Sequence, residues 1–87
     1  MISFIEFTDY VVGPVDSLCE NGMIDNLSEC EKAANQLNIH FWKTDYKVKA
    51  TNRPGGCYVE NDNFVDYNID FNGKPYKKAR PICRQGK

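Results

Sequence analysis

The spacing of apolar and polar positions divides the chain into segments of different period. Within SECEKAANQL, residues 28 to 37, the apolar residues Cys30, Ala33, Ala34 and Leu37 recur at i, i+3, i+4 and i+7. Glu29, Glu31, Lys32, Asn35 and Gln36 lie outside this narrow stripe, so the segment predicts a short amphipathic helix with one buried face. Ser28 is placed to start it: its hydroxyl can accept the free backbone N–H of Glu31 while the Glu31 carboxylate returns to the N–H of Ser28. Asn38 is placed to end it. From His40 the period falls to two, with Trp42, Thr44, Tyr46, Val48 and Ala50 alternating with Lys43, Asp45, Lys47 and Lys49. That pattern predicts a strand with one wet face and puts Trp42 in the core. The alternation returns at Val65, Tyr67, Ile69 and Phe71 against Asp66, Asn68 and Asp70, a second strand whose acids face solvent.

The remaining segments are less periodic. Residues 2 to 12, rich in β-branched and aromatic side chains, read as extended up to the break at Gly13-Pro14. The stretch from Gly13 to Asn26 has turn residues at almost every other position and reads as an irregular loop holding Cys19. CYVE, residues 57 to 60, is a short extended run between TNRPGG and a turn at Asn61 to Asn63. Asn72-Gly73 signals another turn through residues tolerant of positive φ, and Pro75 and Pro81 make the tail an edge strand or irregular. The expectation is an α+β fold, one short helix packed on an antiparallel sheet of about four strands.

Length and cysteines sharpen this picture. Eighty-seven residues make one domain, spanning 1 to 87, of a size at which disulfides commonly supplement a small core. The four cysteines, Cys19, Cys30, Cys57 and Cys83, are separated by 10, 26 and 25 residues, without the short knuckles of a zinc site. Cys30 at a helix N-terminus is a conceivable nucleophile. The sole histidine, His40, lies roughly three helical turns further on and signals no catalytic partnership. Two disulfides in an oxidising compartment are the better account. Cys30 with Cys57 is the preferred pair, because Cys30 sits on the buried stripe and Gly55-Gly56 lets neighbouring backbone approach; Cys19 then pairs with Cys83. Cys19 with Cys30 and Cys57 with Cys83 stays open.

Net charge is close to zero, −1, yet its distribution is lopsided. Residues 1 to 31 carry Glu6, Asp9, Asp16, Glu20, Asp25, Glu29 and Glu31 and no Lys or Arg, whereas residues 74 to 87 carry Lys74, Lys77, Lys78, Arg80, Arg84 and Lys87 and no acid. The simplest consequence is that the two ends lie together and partly neutralise. No overall basicity draws the chain to nucleic acid, and no apolar run approaches the roughly 20 residues of a spanning helix, so neither nucleic acid nor membrane insertion is expected. Met1 to Phe7 has no signal-peptide character, so either the chain is a mature domain excised from a longer precursor, the reading preferred on the cysteines, or it is made without export.

Candidate chemistry is sparse. Glu60, Asp62, Asp66 and Asp70 lack the spacing of a calcium loop. Phosphate loops, nucleophile elbows and zincin motifs are absent from the sequence, so no enzyme, metal or cofactor is expected. Asn26-Leu27-Ser28 is an N-glycosylation sequon. Phe41, Trp42, Tyr58 and Tyr76, with Lys77 and Lys78, form a candidate contact surface, since exposed aromatics stack on sugar rings or anchor protein partners.

The order Tyr10, Gly13, Cys19, Gly22, Ile24, then Glu29-Cys30-Glu31-Lys32-Ala33-Ala34 with Leu37, then Pro54, Gly56-Cys57-Tyr58, Tyr67-Asn68 and Pro81-Ile82-Cys83, resembles a small four-cysteine extracellular domain of uncharacterised function. That domain occurs in surface or secreted proteins of algae, protists and marine animals. The resemblance spans residues 10 to 83 and implies a secreted, disulfide-bonded module with no catalytic residues to transfer. The lysine-rich stretch at 43 to 49 and the basic end depart from the pattern. The function expected is a non-catalytic interaction or structural module that binds a protein or glycan, or packs against copies of itself. The alternative is a small secreted toxin or defence effector.

Overall fold

The computed structural model describes residues 9–42 and 49–85. Its elements are β1 (Tyr10–Val12), α1 (Leu27–Leu37), β2 (Gly56–Glu60), β3 (Phe64–Asn68) and β4 (Ala79–Arg84). The four strands form one sheet in the order β1-β4-β2-β3, every neighbouring pair antiparallel. This is the α+β fold expected, with its helix on one face of the sheet. The predicted first strand is represented by β1, since residues 1–8 lie outside the described residues, as does most of the lysine-rich alternation, residues 43–48.

Helix α1 starts at Asn26 rather than at Ser28. The Asn26 Oδ1 accepts the N–H of Glu29 at 2.7 Å and its Nδ2 donates to Glu29 Oε1 at 3.3 Å. A cap thus forms two residues earlier than expected of Ser28 and Glu31, with its return bond from the Asn26 side-chain amide rather than a backbone N–H, and the Ser28 hydroxyl donates to the same Asn26 oxygen at 3.0 Å. Asparagine caps as well as serine, and here Glu29 is also held by Arg84 of β4, at 2.6 and 2.9 Å. A tertiary contact therefore favours the earlier start. At the other end Asn38 takes the left-handed conformation, φ 60° and ψ 42°. The N–H groups of Asn38 and Ile39 then return to the carbonyls of Asn35 and Ala34, at 3.2 and 2.9 Å, closing the last turn.

The apolar stripe lands as its spacing dictates, with Cys30, Ala33 and Ala34 fully buried. Against it, one side of the sheet presents Tyr10, Val12, Cys57, Val59, Val65, Tyr67 and Ile82. Cys30 is bonded to Cys57 across this layer and Cys19 to Cys83 on the opposite side of the sheet, with Cα separations of 5.3 and 5.8 Å. This is the preferred pairing. Gly56 permits the close approach: at φ 79° it runs beside Ile24, and a Cβ there would collide with the Ile24 carbonyl oxygen. The acidic beginning and basic end do meet, because Arg84 bridges Glu29 and Asp25.

Two strands depart from expectation. The basic tail forms β4, an interior strand between β1 and β2, despite Pro81. The Pro81 carbonyl accepts from Gly13 N at 2.8 Å, so the position lacking an N–H faces the β1 side one residue beyond the last pair, Val12 with Ile82. Arg80 Nη1 lies 3.5 Å from the Gly13 carbonyl oxygen, which an ordinary ladder would have paired with residue 81. Proline is accommodated where the ladder ends. In β3, Asp66 and Asn68 are buried rather than wet, while Ile69 and Phe71 are 40% and 43% exposed. The strand stops at Asn68, and a turn closed by Gly73 N on the Asp70 carbonyl, at 3.0 Å, follows. That turn uses no positive φ at Asn72 or Gly73; the sheet's left-handed turn residues are Asn61 and Asp62, in the β2–β3 connection. Alternation in β3 does not mark a wet side because loops cover the sheet's second face.

Candidate functional site

The second face is organised by one buried amide. Asn68 Oδ1 accepts from the N–H groups of Ala50 and Asp70, at 2.8 and 3.0 Å. Its Nδ2 donates to the carbonyls of Ala50, Pro54 and Arg53, at 2.8, 3.0 and 3.1 Å. A single side chain thereby fixes the loop from 49 to 55 over the sheet and presents Arg53. Each nitrogen of that guanidinium makes one hydrogen bond: Nε and Nη2 donate to Glu60 at 2.8 and 3.4 Å, and Nη1 donates to the Asn52 carbonyl at 3.2 Å. Its carbon lies 3.7 Å from the centroid of the Tyr76 ring, a cation–π contact.

The opposite wall comes from residues 39–42, which run beside β3. Val65 N donates to the His40 carbonyl at 2.7 Å and Trp42 N to the Val65 carbonyl at 2.9 Å, a parallel bridge of Phe41 with Val65. Alternation sends Phe41 into the core and leaves Trp42 on the other side, 53% exposed. Trp42 is therefore not a core residue. Its ring packs on Phe64, centroids 5.1 Å apart and planes at 42°, with His40 edge-on at 6.5 Å.

Between the walls lies an open cleft of about 390 Å³, lined by Trp42, Phe64, Ala50, Asn52, Arg53 and Glu60 around Tyr58 and Asp66. Tyr58 and Asp66 are cross-strand partners, and only 2% and 9% of their surfaces are exposed. Asp66 Oδ1 accepts the N–H of Tyr67 at 2.9 Å. Among the described residues, neither Asp66 Oδ2 nor the Tyr58 hydroxyl has a hydrogen-bond partner. Both residues line the cleft, and neither atom is sealed from solvent. Burial pushes the Asp66 carboxyl and the Tyr58 hydroxyl above their ordinary ranges, and the neighbouring Asp66 raises Tyr58 further. Two open groups beside an exposed tryptophan are equipped to accept and donate hydrogen bonds to a bound molecule.

The remaining residues of the expected contact surface are scattered. Tyr58 belongs to the cleft floor, not to an exposed platform; Phe41 packs on the core; Tyr76 is half-buried beneath Arg53; and Lys77 and Lys78 are exposed on the turn before β4. Asn26 is exposed with its amide engaged in the helix cap. Asp66, Phe64 and Asn52 are not marked by the sequence pattern as site residues, because each sits in a segment whose pattern has a simpler structural meaning. All four cysteines are in disulfides. On the helix side, Glu29 is held at about 2 by the hydrogen bonds from Arg84, with help from Tyr10 and Asn26; this cluster is internally paired. A second depression of about 390 Å³, between residues 18–23 and 71–73, has exposed Leu18 and Phe71 but no buried polar side chain.

Comparison of the chain with protein-family models, with curated proteins and with solved structures finds no match.

Proposed function

We propose that the chain is a non-catalytic interaction module of an extracellular, oxidising setting, and that the cleft between Trp42 and Arg53 is its ligand-binding surface. The observation that carries this is a pair of largely buried polar side chains, Tyr58 and Asp66, each with a partnerless atom not sealed from solvent, that line a cleft beside an exposed tryptophan. An ionisable group buried without a counter-charge lowers stability, so its presence in a rigid floor is best accounted for by a ligand. Two disulfides support the oxidising compartment, and the resemblance of the residue order to four-cysteine surface domains implies the same. No helix among the described residues is long and apolar enough to cross a membrane. Asn26, exposed on the surface, is open to glycosylation in such a setting.

The test is binding of the fluorescently labelled, disulfide-intact chain to the surface of cells from its native source. Saturable binding by the wild type, lost in Trp42→Ala and weakened in Asp66→Asn, is the expected result. Absence of binding, or equal binding by wild type and both variants, would overturn the proposal. Non-reducing peptide mapping of natively purified protein tests the compartment independently: four free thiols would contradict it.

A further inference from the structure

We infer that the cleft's ligand is a neutral sugar ring of a glycan, stacked by one face on Trp42 and hydrogen-bonded through its hydroxyls to Asp66 Oδ2 and the Tyr58 hydroxyl. This rests on the cleft being the binding surface, as proposed above. A pyranose presents an apolar face of C–H groups and a rim of hydroxyls, and the cleft offers the complement of both. The exposed indole supplies a flat apolar surface. An unpaired carboxylate oxygen accepts hydroxyl protons in charge-assisted bonds, and a phenolic hydroxyl both donates and accepts.

Other ligand classes fit less well, each for a visible reason. A quaternary ammonium group is held between facing aromatic rings, but Trp42 and Phe64 lie against each other, 5.1 Å between centroids, and form one wall. An anionic ligand needs a free cation. Arg53 has its three guanidinium nitrogens bonded to Glu60 and Asn52 and its face on Tyr76, whereas the unpaired charge of the floor is the acid Asp66. An extended peptide would add to the sheet edge. The centre of the β3 edge is already occupied, since the N–H and the carbonyl of Val65 are bonded to His40 and Trp42.

Trp42 is the sole tryptophan of the chain, so its emission reports on the cleft directly. The disulfide-intact chain is titrated with cello-, manno-, xylo-, malto- and chito-oligosaccharides, and in parallel with oligogalacturonate, heparin oligosaccharide and choline. At least one neutral series is expected to change Trp42 emission saturably and to shift the backbone amides of β2 and β3. Read by amide shifts, Trp42→Ala should weaken that binding by about tenfold or more. Asp66→Asn should weaken it about tenfold and Tyr58→Phe about threefold, as for loss of a charged and a neutral hydrogen bond. Because the Asp66→Asn variant keeps an acceptor for the Tyr67 N–H, a purely structural role for Asp66 would leave affinity unchanged. Response to choline, oligogalacturonate or heparin alone would overturn the inference. So would silence from every neutral sugar while Trp42-dependent cell binding persists, an outcome that leaves the cleft itself standing. Sugar binding indifferent to Trp42→Ala and Asp66→Asn would place the sugar elsewhere and overturn the site.

Discussion

The two faces of the sheet are built on opposite principles. On the helix side, Cys57, Val59, Val65, Tyr67 and Ile82 meet Cys30, Ala33 and Ala34 in an apolar layer, and the charged groups at its margin are mutually bonded, Arg84 with Glu29 and Asp25. On the loop side, the sheet's own strands carry Asp66, Asn68 and Tyr58 into burial. Asn68 is fully satisfied there, while Asp66 and Tyr58 each keep an open atom. The first face answers to the hydrophobic effect and to chain entropy. The second carries a buried, unpaired acid that packing alone does not call for. Among the described residues such a group stands on one face and not on the other, which is the contrast that the proposed binding role of the loop side rests on.

That contrast is broken most severely at the helix-side disulfide. Replacing Cys30 and Cys57 together by alanine removes a closure across 27 residues, and the loss expected is about 3–4 kcal/mol in urea unfolding. An unchanged midpoint would mean that the apolar layer holds the helix unaided. The loop side has its own keystone. Asn68→Ala leaves the N–H groups of Ala50 and Asp70 and three carbonyls without their side-chain partner, for a loss of about 2–3 kcal/mol. Amide hydrogen exchange should accelerate first at Ala50 and Asp70, ahead of α1; uniform acceleration would show that the two faces open as one unit.

A smaller effect separates the charged margins. Glu29 sits at about 2 in the folded chain against an ordinary 4.5, so its bonds with Arg84 add stability above the ordinary value, and this is lost as pH falls through the folded one. Arg84 is 40% exposed, and solvent screening reduces the contribution to about 1 kcal/mol. Glu29→Gln is therefore expected to lose about 1 kcal/mol near neutrality and to flatten the acid limb of the stability–pH profile. An acid limb identical to that of the wild type would assign acid sensitivity to another carboxylate.

The same contrast explains what is legible in the sequence. The helix and its end at Asn38 follow from local spacing, because residues three and four apart share a face whatever the rest of the chain does; the Cys30–Cys57 pairing is legible only as the preferred of two alternatives, from the buried stripe and Gly55-Gly56. The start of the helix is not legible in this way, since the cap at Asn26 is favoured over Ser28 by the bonds of Glu29 to Arg84, which lies 55 residues away. Pro81 argues for an edge strand; only the register with β1 reveals that its missing N–H falls where the ladder stops. Of the cleft, Trp42 is visible as a candidate contact, although its alternation argues for the core. Asp66 is hidden because an acid between Val65 and Tyr67 ordinarily means a wet face. Nothing local announces that a loop pinned by Asn68 walls it in.

The most direct measurement is urea unfolding of Asp66→Asn beside the wild type, at about pH 7 and about pH 3. The folded state holds the Asp66 carboxyl above its ordinary range because burial disfavours the charge. Its destabilisation is therefore absent at low pH and grows as pH rises through the ordinary value towards the folded one. The variant keeps the acceptor for Tyr67 N–H and removes the charge, so it should be more stable than the wild type by about 0.5–1 kcal/mol at about pH 7. The advantage should vanish at about pH 3. A variant less stable than the wild type at neutral pH would make Asp66 a structural group and contradict the proposed division of the sheet into a stabilising and a binding face.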